Sequence, residues 1–120
     1  MSPLPLRAPL REGVRGRGHA IVIATKAEIQ AALAAGATVL VTAPGLAHAA
    51  GPAWIEAVAH HAGGNPQIVH DVGDDAALGH VLLTAGRDIV FTGPQRWRDT
   101  LVATFPGRVW RGIARSGRLR

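Results

Sequence analysis

The chain has 120 residues, is 48% hydrophobic and carries a formal net charge of +5. This length fits one domain with its own core and falls short of the roughly 200 residues of a complete eight-stranded α/β barrel. The absence of cysteine excludes disulfides and thiolate chemistry. No apolar run approaches the roughly 18 residues of a membrane span, and the first residues lack the apolar core of a secretion signal, so we predict a cytoplasmic protein.

The charge is concentrated at the two ends of the chain. Residues 1–18 hold four arginines against one glutamate, and residues 111–120 hold four arginines and no acid. Residues 19–110 hold five basic and seven acidic residues. We therefore predict a basic Pro/Gly/Arg-rich arm over 1–18, an α/β domain over 19–110 and a basic C-terminal tail over 111–120.

Basic ends of this kind bind nucleic acid, an anionic membrane or an acidic partner, or simply keep a chain in solution. No aromatic residue is interleaved with the arginines of the arm to stack on bases. Nucleic acid is therefore not favoured as a partner, and we expect no membrane partner.

Apolar strands and amphipathic helices alternate along the domain. The predicted strands are Ala20–Ala24, Thr38–Thr42, Gln67–His70, Asp88–Thr92 and a short run at Arg108–Trp110. Apolar residues at helical spacing predict helices over about 26–35, 52–62, 75–85 and 95–104. Glycine follows each helix, at 36, 63–64, 86 and 107, and predicts left-handed caps there.

The same spacing predicts which helix residues face the core. In the third helix, Leu78, Val81 and Leu82 form one stripe, and in the fourth helix, Trp97 and Leu101 do so.

Strands that alternate with helices predict a single-domain α/β protein with a mostly parallel sheet of four to five strands and right-handed crossovers. An open, flavodoxin-like or Rossmann-like sheet is the first expectation. Half of a (β/α)8 barrel is the second, because the run Asp88–Pro94 resembles the later units of phosphate-binding barrels, in which a glycine after the strand accepts phosphate. The helix stripes are thin, so we expect a second copy to cover some apolar surface in a homodimer.

The ends of the third and fourth strands also resemble those of a receiver domain, which carries an acid at the first position and Thr or Ser at the second. Asp71 and Thr92 match these positions. The chain departs from the pattern after its first strand, where Ala24–Lys26 replaces the expected pair of acids. The resemblance therefore does not imply magnesium-dependent phosphorylation of Asp71.

Parallel α/β sheets bind ligands beyond the carboxyl ends of their strands, where helix N-termini contribute partial positive charge. Polar residues and glycines cluster after the predicted strands. As ligand-binding candidates we select Thr42, Gly45, His48, His70, Asp74, Thr92 and Gly93. Asp71 is the candidate catalytic base, because a carboxylate at this edge can accept a proton.

Several candidates also have a purely structural explanation. Thr92 would cap the fourth helix, with Gly93 and Pro94 forming the turn, and Asp74 or Asp75 would cap the third helix. Asp71 is too far from the helix start for this role.

Known cofactor and metal motifs are missing. The histidines do not have zinc-site spacing, and the glycine-rich run at 13–18 precedes the first strand, where it cannot act as a dinucleotide or phosphate loop. We therefore expect no metal and no cofactor.

Three functions remain open. The first is a binding module for a small phosphorylated or carboxylated ligand at the carboxyl edge of the sheet. The second is a small lyase or isomerase that uses Asp71 as its base. The third is a non-catalytic interaction protein or assembly subunit that uses its basic arms.

Overall fold

The computed structural model describes residues 19–120, so the predicted arm over 1–18 lies outside the described residues. Five strands and five helices follow one another along this part of the chain. They are β1 (Ala20–Ile23), α1 (Lys26–Ala34), β2 (Val39–Thr42), α2 (Leu46–Ala50), α3 (Pro52–Ala62), β3 (Gln67–Gly73), α4 (Ala76–Thr84), β4 (Asp88–Phe91), α5 (Gln95–Thr104) and β5 (Val109–Trp110). The short helix α2, between β2 and α3, is not among the predicted helices.

The strands form one open, all-parallel sheet in the order β1-β2-β3-β4-β5. The predicted single-domain α/β fold, with a parallel sheet of four to five strands and alternating helices, is therefore confirmed. Each strand lies beside the next one in sequence, which is also how consecutive units follow one another in a (β/α)8 barrel. Right-handed crossovers that all step in one direction place their helices on one face of the sheet.

Local sequence signals explain where the helices begin and end. At the start of α1, Thr25 Oγ1 accepts a hydrogen bond from Glu28 N at 3.1 Å. The Glu28 carboxylate accepts in return from Thr25 N at 3.2 Å, which completes a capping box. The glycines predicted as caps have positive φ angles, +82° at Gly36 and +88° at Gly86, so these helix ends are confirmed.

One face of the sheet packs against the helices in two apolar clusters. Ile23 and Leu40 contact α1 and α3, and Ile89 and Phe91 contact α3, α4 and α5. Trp54 of α3 contacts both clusters and joins them into one core. We call this side of the sheet the helix-covered face.

The opposite face carries a layer of valines whose apolar cluster includes no helix residue among residues 19–120. Its buried members are Val39, Val41, Val69 and Val90. They pack against residues 111–120, which fold back over the sheet as an antiparallel hairpin. A bridge between Ile113 and Leu119 closes the hairpin, and a bridge between Arg118 and His19 joins it to the start of β1. We call this side the hairpin-covered face and residues 111–120 the C-terminal hairpin. The division of the chain into arm, domain and tail stays a prediction.

Two residues predicted to face the core are exposed instead. Val81 of α4 is 61% exposed and Trp97 of α5 is 47% exposed. In α4 the buried positions are Gly79, Leu82 and Leu83. A Cβ at Gly79 would lie 2.9 Å from Ile89 Cδ1, so the glycine lets α4 approach β4 closely, which turns Val81 outward.

In α5 the buried residues are Arg98 and Leu101, not Trp97. The Arg98 guanidinium donates a hydrogen bond to the carbonyl oxygen of Phe91 and lies over the Phe91 ring.

Among residues 19–120, no helix is long and apolar enough to cross a bilayer.

Candidate functional site

A cleft of about 320 Å³ opens at the carboxyl ends of the strands, on the hairpin-covered face. The sheet forms one side of it, and the start of the C-terminal hairpin forms the other. Its lining residues are Val22, Val41, Thr42, Pro44, Gly45, Asp71, Gly73, Val90, Thr92, Arg111, Gly112 and Ile113. This is the edge at which the sequence predicts a ligand, and the volume is at the lower end of the range for small-molecule sites.

Four of the predicted site residues line this cleft together: Thr42, Gly45, Asp71 and Thr92. They come from three different strand ends. The consecutive strand order brings them to one place, because β2, β3 and β4 are direct neighbours.

The Asp71 carboxylate holds two backbone segments at the cleft. Its Oδ1 accepts hydrogen bonds from Gly73 N at 2.9 Å and from Gly45 N at 3.1 Å. Both glycines have positive φ angles, and a Cβ at Gly73 would lie 3.7 Å from Gly45 Cα. Asp71 N donates to Thr42 Oγ1 at 2.9 Å, so a buried threonine orients the residue in turn.

The second carboxylate oxygen of Asp71 is available to a ligand. Asp71 is 8% exposed, and within residues 19–120 its Oδ2 accepts no hydrogen bond. This oxygen is not one of the buried polar atoms sealed from solvent, so it reaches the cleft.

Thr92 does not cap α5, contrary to the structural alternative considered from the sequence. The N-cap of α5 is Pro94, without a side-chain hydrogen bond. Thr92 N donates to Gly73 O at 2.8 Å, which ties the end of β4 to that of β3. The Thr92 hydroxyl is exposed at the cleft and makes no hydrogen bond to another described residue, so it is free to contact a ligand.

Three arginines gather beside the cleft. Burial lowers the pKa of Arg98, and the charges of Arg111 and Arg120 lower it further, against an opposing effect of Asp99. Arg111 lines the cleft, and a Cβ at Gly112 would lie 4.0 Å from Arg120 Nη2. Within residues 19–120, neither Arg111 nor Arg120 forms an ion pair. The guanidinium groups therefore leave positive charge at this end of the sheet.

Arg111 was not among the predicted ligand-binding residues, because it lies in the predicted tail. A signal was present: the tail carries isolated apolar residues at Ile113 and Leu119, separated by the turn-forming pair Ser116-Gly117. This pattern is typical of a short hairpin with one buried side.

Two other predicted site residues lie outside the cleft. His48 is exposed, and its Nδ1 lies 2.6 Å from Asp75 Oδ2. Asp75 caps α4 by accepting from Leu78 N at 3.0 Å, as its structural explanation predicted. Two hydrogen bonds lower the pKa of Asp75. The larger effect comes from the Leu78 amide and the smaller one from His48. Asp74 is exposed and is not a lining residue of the cleft.

Gly93 and His70 are likewise absent from the cleft lining. A Cβ at Gly93 would lie 2.4 Å from Phe91 Cζ, so the turn requires glycine for space. His70 is fully buried, and neither ring nitrogen has a hydrogen-bond partner among residues 19–120. Burial, aided by the Arg87 charge and opposed by Asp88, lowers the pKa of His70 from 6.5 to about 4.

The part of the chain that the structure describes contains no cluster of three histidines or acids able to hold a metal ion. Comparison of the chain with family models, with curated proteins and with solved structures finds no match in any of the three.

Proposed function

We propose that this protein is a binding module for a small phosphorylated or carboxylated ligand, which occupies the cleft at the carboxyl ends of the strands. The observation that supports this most directly is Arg111, an arginine of the cleft wall that has no acidic partner among residues 19–120. A guanidinium group binds carboxylates and phosphates through paired, charge-assisted hydrogen bonds.

Two further features favour an anion. The Thr92 hydroxyl is free to donate at the same cleft. The charges of Arg98 and Arg120 lie close to Arg111, and a ligand anion would reduce the repulsion among the three guanidinium groups.

Arginine substitution tests the proposal with a matched control. Isothermal titration would measure the binding of glycerol 3-phosphate and inorganic phosphate to wild type, Arg111→Gln and Arg115→Gln. Both variants remove one positive charge from the C-terminal hairpin, but Arg115 does not line the cleft. We expect Arg111→Gln to weaken binding at least tenfold, about 1.4 kcal/mol, and Arg115→Gln to bind like wild type. Equal affinities for all three proteins would contradict a site at Arg111.

The unpaired oxygen of Asp71 favours a second candidate function, a small lyase or isomerase. Asp71 presents an unpaired carboxylate oxygen to the cleft and could remove a proton from a carbon next to a carbonyl group of a bound ligand. Deuterium incorporation from D2O into the bound ligand, detected by NMR and absent in Asp71→Asn, would support a lyase or isomerase.

The remaining expectations stay predictions. They are the cytoplasmic location, the homodimer and an interaction role for the basic arms. Of these arms, residues 1–18 lie outside the described residues, and residues 111–120 form the C-terminal hairpin.

A further inference from the structure

We infer that the ligand of this cleft is bifunctional: besides its anionic group it carries a hydroxyl or ammonium group, which donates a hydrogen bond to Asp71. This inference rests on the proposed function and narrows its ligand class to phosphorylated or carboxylated alcohols and amines.

The cleft is lined by opposite charges. Arg111 lies on its hairpin side, and Asp71 lies on its sheet side, at the end of β3. The two residues do not form an ion pair with each other. A ligand that lies between them therefore meets a cation at one end and a carboxylate at the other.

The bonding of Asp71 determines what the second group of the ligand must be. Its Oδ1 is already satisfied by two backbone amides, whereas Oδ2 accepts nothing from residues 19–120. Before a ligand binds, water can hydrate this oxygen. A ligand that displaced this water without supplying a donor would leave a carboxylate oxygen unpaired, and the cost of that desolvation would reduce its affinity.

Charge leads to the same conclusion. A ligand with anionic groups at both ends would place negative charge beside the Asp71 carboxylate, in a cleft with little solvent to screen the repulsion. A hydroxyl group satisfies Oδ2, and an ammonium group would also neutralise its charge.

The walls between the two charged residues are apolar. Val22, Val41, Val90 and Ile113 supply them, and the volume of about 320 Å³ limits the ligand to a small molecule. A short carbon skeleton between the two polar ends fits these walls.

Matched ligand pairs test the inference on the unmodified protein. Isothermal titration would compare glycerol 3-phosphate with n-propyl phosphate, O-phosphoethanolamine with ethyl phosphate, and 3-hydroxybutyrate with butyrate. Each pair keeps the anion and the approximate size and removes the donor. In at least one pair we expect the donor-bearing member to bind ten times more tightly or better. The pair that shows the preference distinguishes hydroxyl from ammonium and phosphate from carboxylate.

Asp71→Asn then locates the preference. The amide oxygen can still accept from Gly45 and Gly73, but the second position becomes an NH2 group that cannot accept a hydrogen bond. An ammonium group can only donate, so we expect this variant to bind O-phosphoethanolamine and ethyl phosphate with affinities within about twofold. A hydroxyl can also accept from the new NH2 group, so a hydroxyl preference is located with Asp71→Ala, which offers the ligand neither a donor nor an acceptor. If the variant does not fold, the ligand pairs on the wild-type protein decide alone.

The outcomes separate this inference from the proposed function. Equal binding within every pair, with loss of affinity in Arg111→Gln, would overturn the requirement for a donor and leave the anion site standing. Failure of all six ligands to bind would overturn both. An ammonium preference that persists unchanged in folded Asp71→Asn, or a hydroxyl preference that persists unchanged in folded Asp71→Ala, would show that a different residue receives the donor, and would overturn the role of Asp71.

Discussion

The two faces of the sheet are built on different principles. The helix-covered face is packed with large side chains such as Ile23, Leu40 and Phe91, each fully buried beneath helices. The hairpin-covered face has a thin layer of valines. Within residues 19–120 these valines pack against the C-terminal hairpin, whose buried apolar side chain is Leu119.

This difference assigns separate tasks to the faces. The helix-covered face holds two of the three apolar clusters of residues 19–120, and burial of apolar side chains is the main source of stability. The hairpin-covered face is less completely filled, and the cleft lies where the hairpin and the strand ends do not meet. Polar residues are tolerated there because they reach solvent or a ligand.

A pair of core truncations gives the largest expected effect. We expect Ile89→Ala, on the helix-covered face, to lower the free energy of unfolding by about 4 kcal/mol, because the cavity would lie among packed helices that cannot collapse. Leu119→Ala, on the hairpin-covered face, should cost about 2 kcal/mol, because the hairpin can relax around the smaller side chain. Urea unfolding followed by tryptophan fluorescence measures both. Equal losses would remove the distinction between the two faces.

The next largest effect concerns a buried polar residue on the helix-covered face. Ile68, His70 and Val72 are every second residue of β3, so their side chains lie on the same side of the sheet. Ile68 and Val72 belong to the helix-side clusters, which places His70 on this face. Its pKa is about 4 in the folded protein, against 6.5 ordinarily. The unfolded chain therefore binds a proton at a higher pH than the folded one, and stability should fall as the pH drops from 6.5 toward 4. The loss approaches roughly 3 kcal/mol.

Substitution of His70 by leucine tests this explanation. His70→Leu should flatten the dependence of unfolding free energy on pH between 6.5 and 4, since no group titrates at that position. The control is His60→Leu, which removes an exposed histidine at the end of α3 and should retain the wild-type slope. An unchanged slope in His70→Leu would mean that other groups cause the acid sensitivity.

The smallest effect is at the start of α4, beside the cleft but not in it. Asp75→Ala removes the cap on Leu78 N and should cost about 1 kcal/mol at neutral pH. Because the pKa of Asp75 is lowered in the folded protein, its contribution is present above the carboxyl pKa of the unfolded chain. It is lost as the pH falls below about 4. Thermal melts measure this loss, and in them Asp74→Ala, at the exposed neighbouring position, should change stability little.

Much of the fold was predictable because its signals are local. Strand runs, helical spacing and glycine caps gave elements that agree with the structure to within a few residues, and the parallel arrangement followed from their alternation. The orientation of the helices was less predictable. Val81 and Trp97 were assigned to the core from hydrophobicity, but Gly79 and Arg98 occupy the contact positions. A glycine contributes by its absence of a side chain, and a buried arginine by one hydrogen bond to Phe91 O, and neither is visible as apolar spacing.

The site was predictable to the extent that it lies at strand ends. Thr42, Gly45, Asp71 and Thr92 share the cleft because parallel strands end at the same edge. His70 also follows an apolar run, but β3 extends to Gly73, so His70 lies within the strand and beneath the helices. To predict that Arg111 lines the cleft, one must know how the residues after the last strand fold back over the sheet. That depends on long-range packing.

The consecutive strand order also determines how the chain can assemble. Each strand pairs with the strand that precedes it in sequence, with one strand-to-strand connection between them. Most loops that must close during folding are therefore short, and each closure costs little conformational entropy. The bridge between His19 and Arg118 is the exception, because it joins β1 to the C-terminal hairpin across almost the entire described chain. Once this contact forms, the two borders of the sheet are linked through the hairpin, and the wall that carries Arg111 is fixed relative to the strand ends.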